Sequence, residues 1–172
     1  SIKEKKNPFP EEDPRAAYYT ESGFSDTTNR IINSGNYEFG VIFRPRVEGM
    51  IKKITVKIPD NAANLRVTFW DVDSKEVMRT ETVKSVVAGV LFVQDIEPLM
   101  VEMNKRYMIT FNSDDWYIRK RVDDTPANYP ITVGNIAIES YGSAGGKWQT
   151  FPTLASHGYY AGDLGFIFQQ TR

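Results

Sequence analysis

Cysteine is absent from this chain, and histidine occurs once, as His157. No disulfide or thiolate metal site can form, and a zinc centre lacks its usual protein donors. A nucleophilic triad would have to use His157, whose neighbour Ser156 in "ASHGYY" is adjacent in sequence only, which is not triad geometry. His157 therefore reads as a solvent-facing loop residue. A long apolar run is missing as well, so no transmembrane segment of roughly 18 residues is expected. So is an excess of one charge: 21 Lys and Arg stand against 22 Asp and Glu. That balance offers no global attraction to nucleic acid or to an anionic membrane. The basic cluster Arg119-Lys120-Arg121 is flanked by acids that cancel its field. A phosphate cradle is lacking too. In "GSAGGKW" at 142–148, Trp148 follows Lys147 where a hydroxyl residue is needed, and the segment reads as a hairpin tip.

What is present suits one packed domain. Across 172 residues, 41% are hydrophobic and 25% charged, enough apolar material for a core. The lead SIKEKKNPFPEEDPR is charged and proline-punctuated, so residues 1–17 are expected to form a disordered tether or linker before a single β-sandwich domain at 18–172. The chain starts at Ser1 without an initiator methionine, and an upstream segment is expected to have been removed. A basic, proline-rich lead fits the stretch after the lipid anchor of a bacterial surface lipoprotein; it fits an interdomain linker or a frayed terminus equally.

From Tyr37 on, apolar residues recur with a period of two. Phe39, Val41 and Phe43 alternate with Glu38, Gly40 and Ile42. Ile54, Val56 and Ile58 alternate with Lys53, Thr55 and Lys57. Leu65, Val67 and Phe69 alternate with Arg66, Thr68 and Trp70, and Tyr107, Ile109 and Phe111 with Arg106, Met108 and Thr110. Leu164, Phe166 and Phe168 close the series. Such alternation marks half-buried strands with a mixed outer face. Turn-forming residues separate the runs, at Ser34-Gly35-Asn36, Pro59-Asp60-Asn61, Asp71 to Ser74 and Gly145-Gly146. With no convincing crossover helix, the pattern predicts an all-β antiparallel sandwich.

The same runs carry a resemblance. "EFGVIFRPRVEGMIKKITVKIP" at 38–59, "VTFWD" at 67–71, "MNKRYMITFN" at 103–112, "FPT" at 151–153 and "YYAGDLGFIF" at 159–168 together resemble a bacterial extracellular family known as domain of unknown function 4082. The likeness spans roughly residues 36–169 and rests on packing and turn motifs in a set order. Gly165, Ile167 and the region 121–150 depart from it. The resemblance implies a jelly-roll-like β-sandwich on a secreted or cell-surface anchored bacterial protein, often beside other β modules. It implies adhesion or glycan binding and supplies no catalytic residue.

Site chemistry centres on "NSDDWYIRKRVDD" at 112–124. Asn112 to Asp115 reads as an Asx-type turn and Trp116 to Arg121 as a strand, with Trp116 and Ile118 inward and Tyr117 and Arg119 exposed. Sugars stack their C–H faces on aromatic rings, while Asp, Asn and Arg bond their hydroxyls. Trp116, Tyr117, Arg119, Tyr141, Trp148 and Tyr159 are therefore the candidate glycan-binding set, with packing as the competing role for the aromatics. Asp114, Asp115, Asp123 and Asp124 are candidate ligands for calcium, the one cofactor considered. The other acidic loop, "DVDSKE" from Asp71, lacks the glycine and the bidentate glutamate of an EF-hand, having Glu76 and Thr82 there, and reads as a turn held by Asp side chains.

These readings lead to a non-catalytic module of an exported bacterial protein that binds carbohydrate or another surface component, its partner a glycan or a cell-surface protein and not nucleic acid. A purely structural spacer is the alternative. A carbohydrate-active enzyme comes third, because a chain with 22 acids will place some pair at glycosidase spacing by chance.

Overall fold

A computed structural model describes residues 6–24, 29–156, 160–161 and 163–172. The strands are β1 (Glu11–Glu12), β2 (Asn29–Pro45), β3 (Gly49–Val56), β4 (Ala62–Asp71), β5 (Glu76–Val86), β6 (Phe92–Val101), β7 (Tyr107–Arg119), β8 (Ile131–Val133), β9 (Ile136–Gly145), β10 (Leu154–Ser156), β11 (Tyr160–Ala161) and β12 (Leu164–Gln170), and one helix, α1, spans Pro14–Glu21. The smaller sheet has the order β1-β12-β3-β6, and the larger β10-β9-β2-β7-β4-β5, with β8 also on β9 and β11 on β7.

With β8 to β11 set aside, the chain passes from sheet to sheet in the order of an eight-stranded jelly roll. The first and last strands, β1 and β12, lie side by side, and the larger sheet keeps the core order β2-β7-β4-β5. Every pairing is antiparallel. The all-β sandwich expected from the alternation is the observed fold. Residues 131–161 are inserted between the seventh and eighth jelly-roll strands.

The core lies between the sheets. Phe39, Val41 and Phe43 of β2 meet Ile51, Ile54, Phe166 and Phe168 across it, all buried. Phe43 and Phe166 have ring centroids 4.4 Å apart, as do Phe39 and Phe111. Tilted contacts of this kind add to the hydrophobic gain of burying the rings. At Asp71 the expected turn forms, its carboxylate accepting from the backbone N–H of Asp73 and Ser74. The Lys105 ammonium, 2.8 Å away, and these N–H groups hold the Asp71 carboxyl below the usual carboxylate range.

Two expectations are corrected. The tether predicted over 1–17 is structured from Asn7 on: Asn7 donates to the Gln170 carbonyl, Gln169 donates to the Phe9 carbonyl, and Glu11 and Glu12 pair with β12. Asp13 then caps α1 by accepting from Ala16 N–H, with Pro14 at the first helical position, where a missing N–H costs nothing. The helix lies over β12, and Gly165 is what lets it approach. A Cβ there would stand 2.9 Å from Arg15 Cβ and 2.7 Å from Thr55 Oγ1.

The turn predicted at 112–115 is likewise not a turn. β7 runs unbroken through it, paired with β2 on both sides, and the irregularity falls on β2 between Ile32 and Tyr37.

Tyr18 of α1 is fully buried and donates its hydroxyl to that of Tyr129. Burial pushes the Tyr129 phenol up to about 12, against a smaller opposing pull from the Tyr18 hydrogen bond. The folded protein therefore keeps a proton there that the unfolded chain, with a phenol near 10, gives up. Stability should fall as pH rises from about 10 to about 12, and urea midpoints across that range should fall less in Tyr129→Phe.

Candidate functional site

Alternation along β2, β4 and β7 places Glu38, Arg66, Thr68, Trp70, Thr110 and Asn112 on the outer face of the larger sheet. A half-buried strand would leave this face wet, yet Glu38, Thr68, Trp70 and Thr110 are buried. What covers them is the loop 146–153 between β9 and β10, which folds back across the sheet. Phe151 packs edge-on against Trp70, ring centroids 5.6 Å apart, in a small second core with Val72, Met108 and Ile42. Gln149 donates to Thr68 and Thr80 at 2.9 and 2.8 Å.

Beneath the loop the polar groups satisfy one another. Glu38, 0% exposed, accepts from Arg66 Nη2 at 2.7 Å, Thr110 Oγ1 at 2.7 Å and Asn112 Nδ2 at 3.1 Å. Thr110 in turn accepts from the Trp70 indole at 2.8 Å. Arg66 and Asn112 also reach up to the loop, donating to the carbonyls of Lys147 and Gly146 at 3.0 Å each. Asn36 donates to Asn112 at 2.9 Å, and its own carbonyl accepts from Gly146 N–H. Buried carboxylate and loop are thus tied through the same two side chains.

Where this network meets solvent there is a cavity of about 400 Å³, lined by Asn36, Asn61, Asn64, Arg66, Asn112 and Asp114 among others. Asn64 holds a positive φ of 54°, a conformation asparagine tolerates better than most residues. Arg66 Nε is buried with no acceptor among the described residues. Carboxamides offer both donors and acceptors, which matches the two-way hydrogen bonding of a hydroxyl. Trp148, one residue beyond the carbonyl that Arg66 holds, is 82% exposed.

The predicted aromatic platform fares differently. Trp148 is exposed as expected, and Asp114 lines the cavity. Tyr141 is 8% exposed and belongs to the main core, on the opposite face of the sheet. Arg119, expected to be exposed, is buried instead, in a bidentate pair with Asp163 at 3.0 and 2.9 Å. Tyr19 lies over its guanidinium at 4.4 Å and donates to the same carboxylate. Burial pulls the Arg119 pKa down, but the hydrogen bond and charge of Asp163 outweigh it and raise it overall. Trp116 and Tyr117 lie on β7, but their side chains fall outside the described set, and Tyr159 and His157 lie outside the described residues altogether.

The four calcium candidates are not gathered. Asp115 is buried beside the exposed Asp114, while Asp123 turns back to accept from Thr125 N–H and Oγ1. Among the described residues no three His, Cys, Asp or Glu side chains stand together to hold a metal ion. None of the helices described is long and apolar enough to cross a membrane.

Sequence reasoning missed the four asparagines and Arg66. Three of them sit in spacers read only as turn material or at a strand start, and Arg66 reads as an ordinary outward charge. The available signal was the density of Asn around Pro59 to Arg66 together with Asn36 and Asn112.

No family model matches this chain, and no curated protein is similar to it.

Proposed function

We propose that the chain is a non-catalytic module of an exported bacterial protein and that it binds carbohydrate at the amide-lined cavity. The observation that carries this reading is the cavity itself: about 400 Å³, set with four asparagines, Arg66 and Asp114, with Arg66 also holding the loop that carries the exposed Trp148. Polar ligands with many hydroxyls suit such a lining better than apolar cofactors, whose pockets are mostly hydrophobic. The nearby carboxylates have separate parts, Glu38 buried and fixed by Arg66, Asp114 exposed at the rim. The likeness to an extracellular bacterial family supports the compartment.

A screen of the purified protein against bacterial, plant and mucin polysaccharides, by tryptophan fluorescence and calorimetry with and without calcium, tests the reading. Saturable binding is expected, with most of it lost in Trp148→Ala and in Asn64→Gly. Since Trp148 is 82% exposed, its substitution should change folding stability by no more than about 0.5 kcal/mol. Failure of every polysaccharide to bind would leave the second reading, a structural spacer, which the burial of Tyr141 and Arg119 favours.

A further inference from the structure

We infer that the site takes an internal stretch of a linear, neutral glycan, about three sugar residues laid across the strand ends of the larger sheet at their ~4.8 Å spacing. The inference rests on the carbohydrate reading above and specifies its ligand. The amide-lined cavity adjoins a second one of about 440 Å³, lined by Ser85, Val86 and Val87, and the two share Asn61, Ala62 and Ala63. Register brings them together, because Ala62 pairs with Val86 and Ala63 with Ser85 between β4 and β5. The lining thus passes from β2 and β7 over β4 to β5, which are neighbours in that order. Three strand intervals of roughly 4.8 Å give ~14 Å of track, the length of about three pyranose rings.

The chemistry changes along this track in a way that suits a chain. At the β7 end stand the amides of Asn36 and Asn112, with Arg66 of β4 beside them, groups that hydrogen-bond ring and hydroxyl oxygens. At the β5 end the lining is Ala62, Ala63 and the exposed Val87, with Val86 buried behind them, small or apolar groups that accept the C–H face of a sugar. Charge decides against an acidic glycan. The guanidinium of Arg66 is already engaged by Glu38 at 2.7 Å, and Asp114 adds a carboxylate at the rim. Among the residues lining the two cavities Arg66 is the one cation, so a uronate or sulfate would have to draw it away from Glu38.

The test uses oligosaccharides of one to six residues, size-fractionated from whichever polysaccharide retains the protein in the screen, titrated by calorimetry. Affinity should rise about tenfold from one residue to three, which is ~1.4 kcal/mol, and then level off. Val87→Glu, at an exposed position of the β5 end that lies outside the amide-lined cavity, should abolish that rise while leaving the single-residue affinity and the melting temperature unchanged. Affinity that is flat from the monosaccharide on would overturn the chain-length inference and leave carbohydrate binding in place. A rise continuing to six residues, absence of binding by all six lengths, or stronger binding of acidic than neutral chains would overturn it too. Retention by no polysaccharide at all sinks both readings, and the screen reports that before any oligosaccharide is cut.

Discussion

Arg119→Met should lower stability by about 3–5 kcal/mol, the usual cost of leaving one partner of a buried ion pair alone. Asp163 is 0% exposed, and without the guanidinium its carboxylate keeps, among the described residues, the Tyr19 hydroxyl. The pair joins parts of the chain that are far apart in sequence. Arg119 ends β7, Asp163 leads into β12, and Tyr19, lying over the guanidinium at 4.4 Å, brings α1 to both. The Asp163 carbonyl also accepts from Lys57 N–H, next to the end of β3. Losing the charge on one side therefore loosens the helix and the closing strand together. Urea denaturation of Arg119→Met, Asp163→Asn and the double variant Arg119→Met/Asp163→Asn separates the causes. The double variant should cost clearly less than the sum of the single ones, because no lone charge remains buried. Equal midpoints for wild type and Arg119→Met would mean that the pair is solvated and contributes nothing.

Period-two alternation was enough to read the strands, since Phe39, Val41, Phe43, Phe111 and Phe166 all face the core that the pattern assigned them. It reads one face at a time, and here it ran out. Glu38, Thr68 and Thr110 occupy outward positions and are buried because a loop more than 30 residues further along the chain folds over them. Nothing local in "YEFGV" or "RVTFW" announces that cover. Arg119 was placed in solvent for the same reason: what buries it comes from α1 and from Asp163, at opposite ends of the chain. The lead was different, because its signal was present. Asp13 followed by Pro14 and Ala16-Ala17 is a cap, a first-turn proline and helix formers in the right order, and the surrounding charge outweighed it in the reading. The cavity was the least legible part. Its asparagines come from β2, β4, β7 and the turn before β4, and only the jelly-roll order brings those segments to one end of one sheet.

Glu38→Ala is expected to cost a further large amount, again about 3–5 kcal/mol, and to reduce binding at the cavity as well. Three donors converge on the carboxylate from Arg66, Thr110 and Asn112, and all three lose their acceptor at once. Two of these, Arg66 and Asn112, also hold the carbonyls of Lys147 and Gly146. When they are no longer oriented from below, the loop that carries Trp148 loses its ties at Gly146 and Lys147 and is held by Gln149 and Phe151, so the cavity wall shifts. Glu38→Gln separates shape from charge. It fills the same space but turns an NH₂ toward Thr110, which already accepts from Trp70, so one donor there is left without an acceptor. A cost of about 1.5–3 kcal/mol is expected, in the range of hydrogen bonds to charged groups. Hydrogen exchange of the 146–153 backbone supplies the second readout: protection at Gly146, which donates to the Asn36 carbonyl, should drop in both variants. If exchange there stays at the wild-type rate while global stability falls, Glu38 supports the sheet alone, and the link between the buried carboxylate and the Trp148 loop is broken.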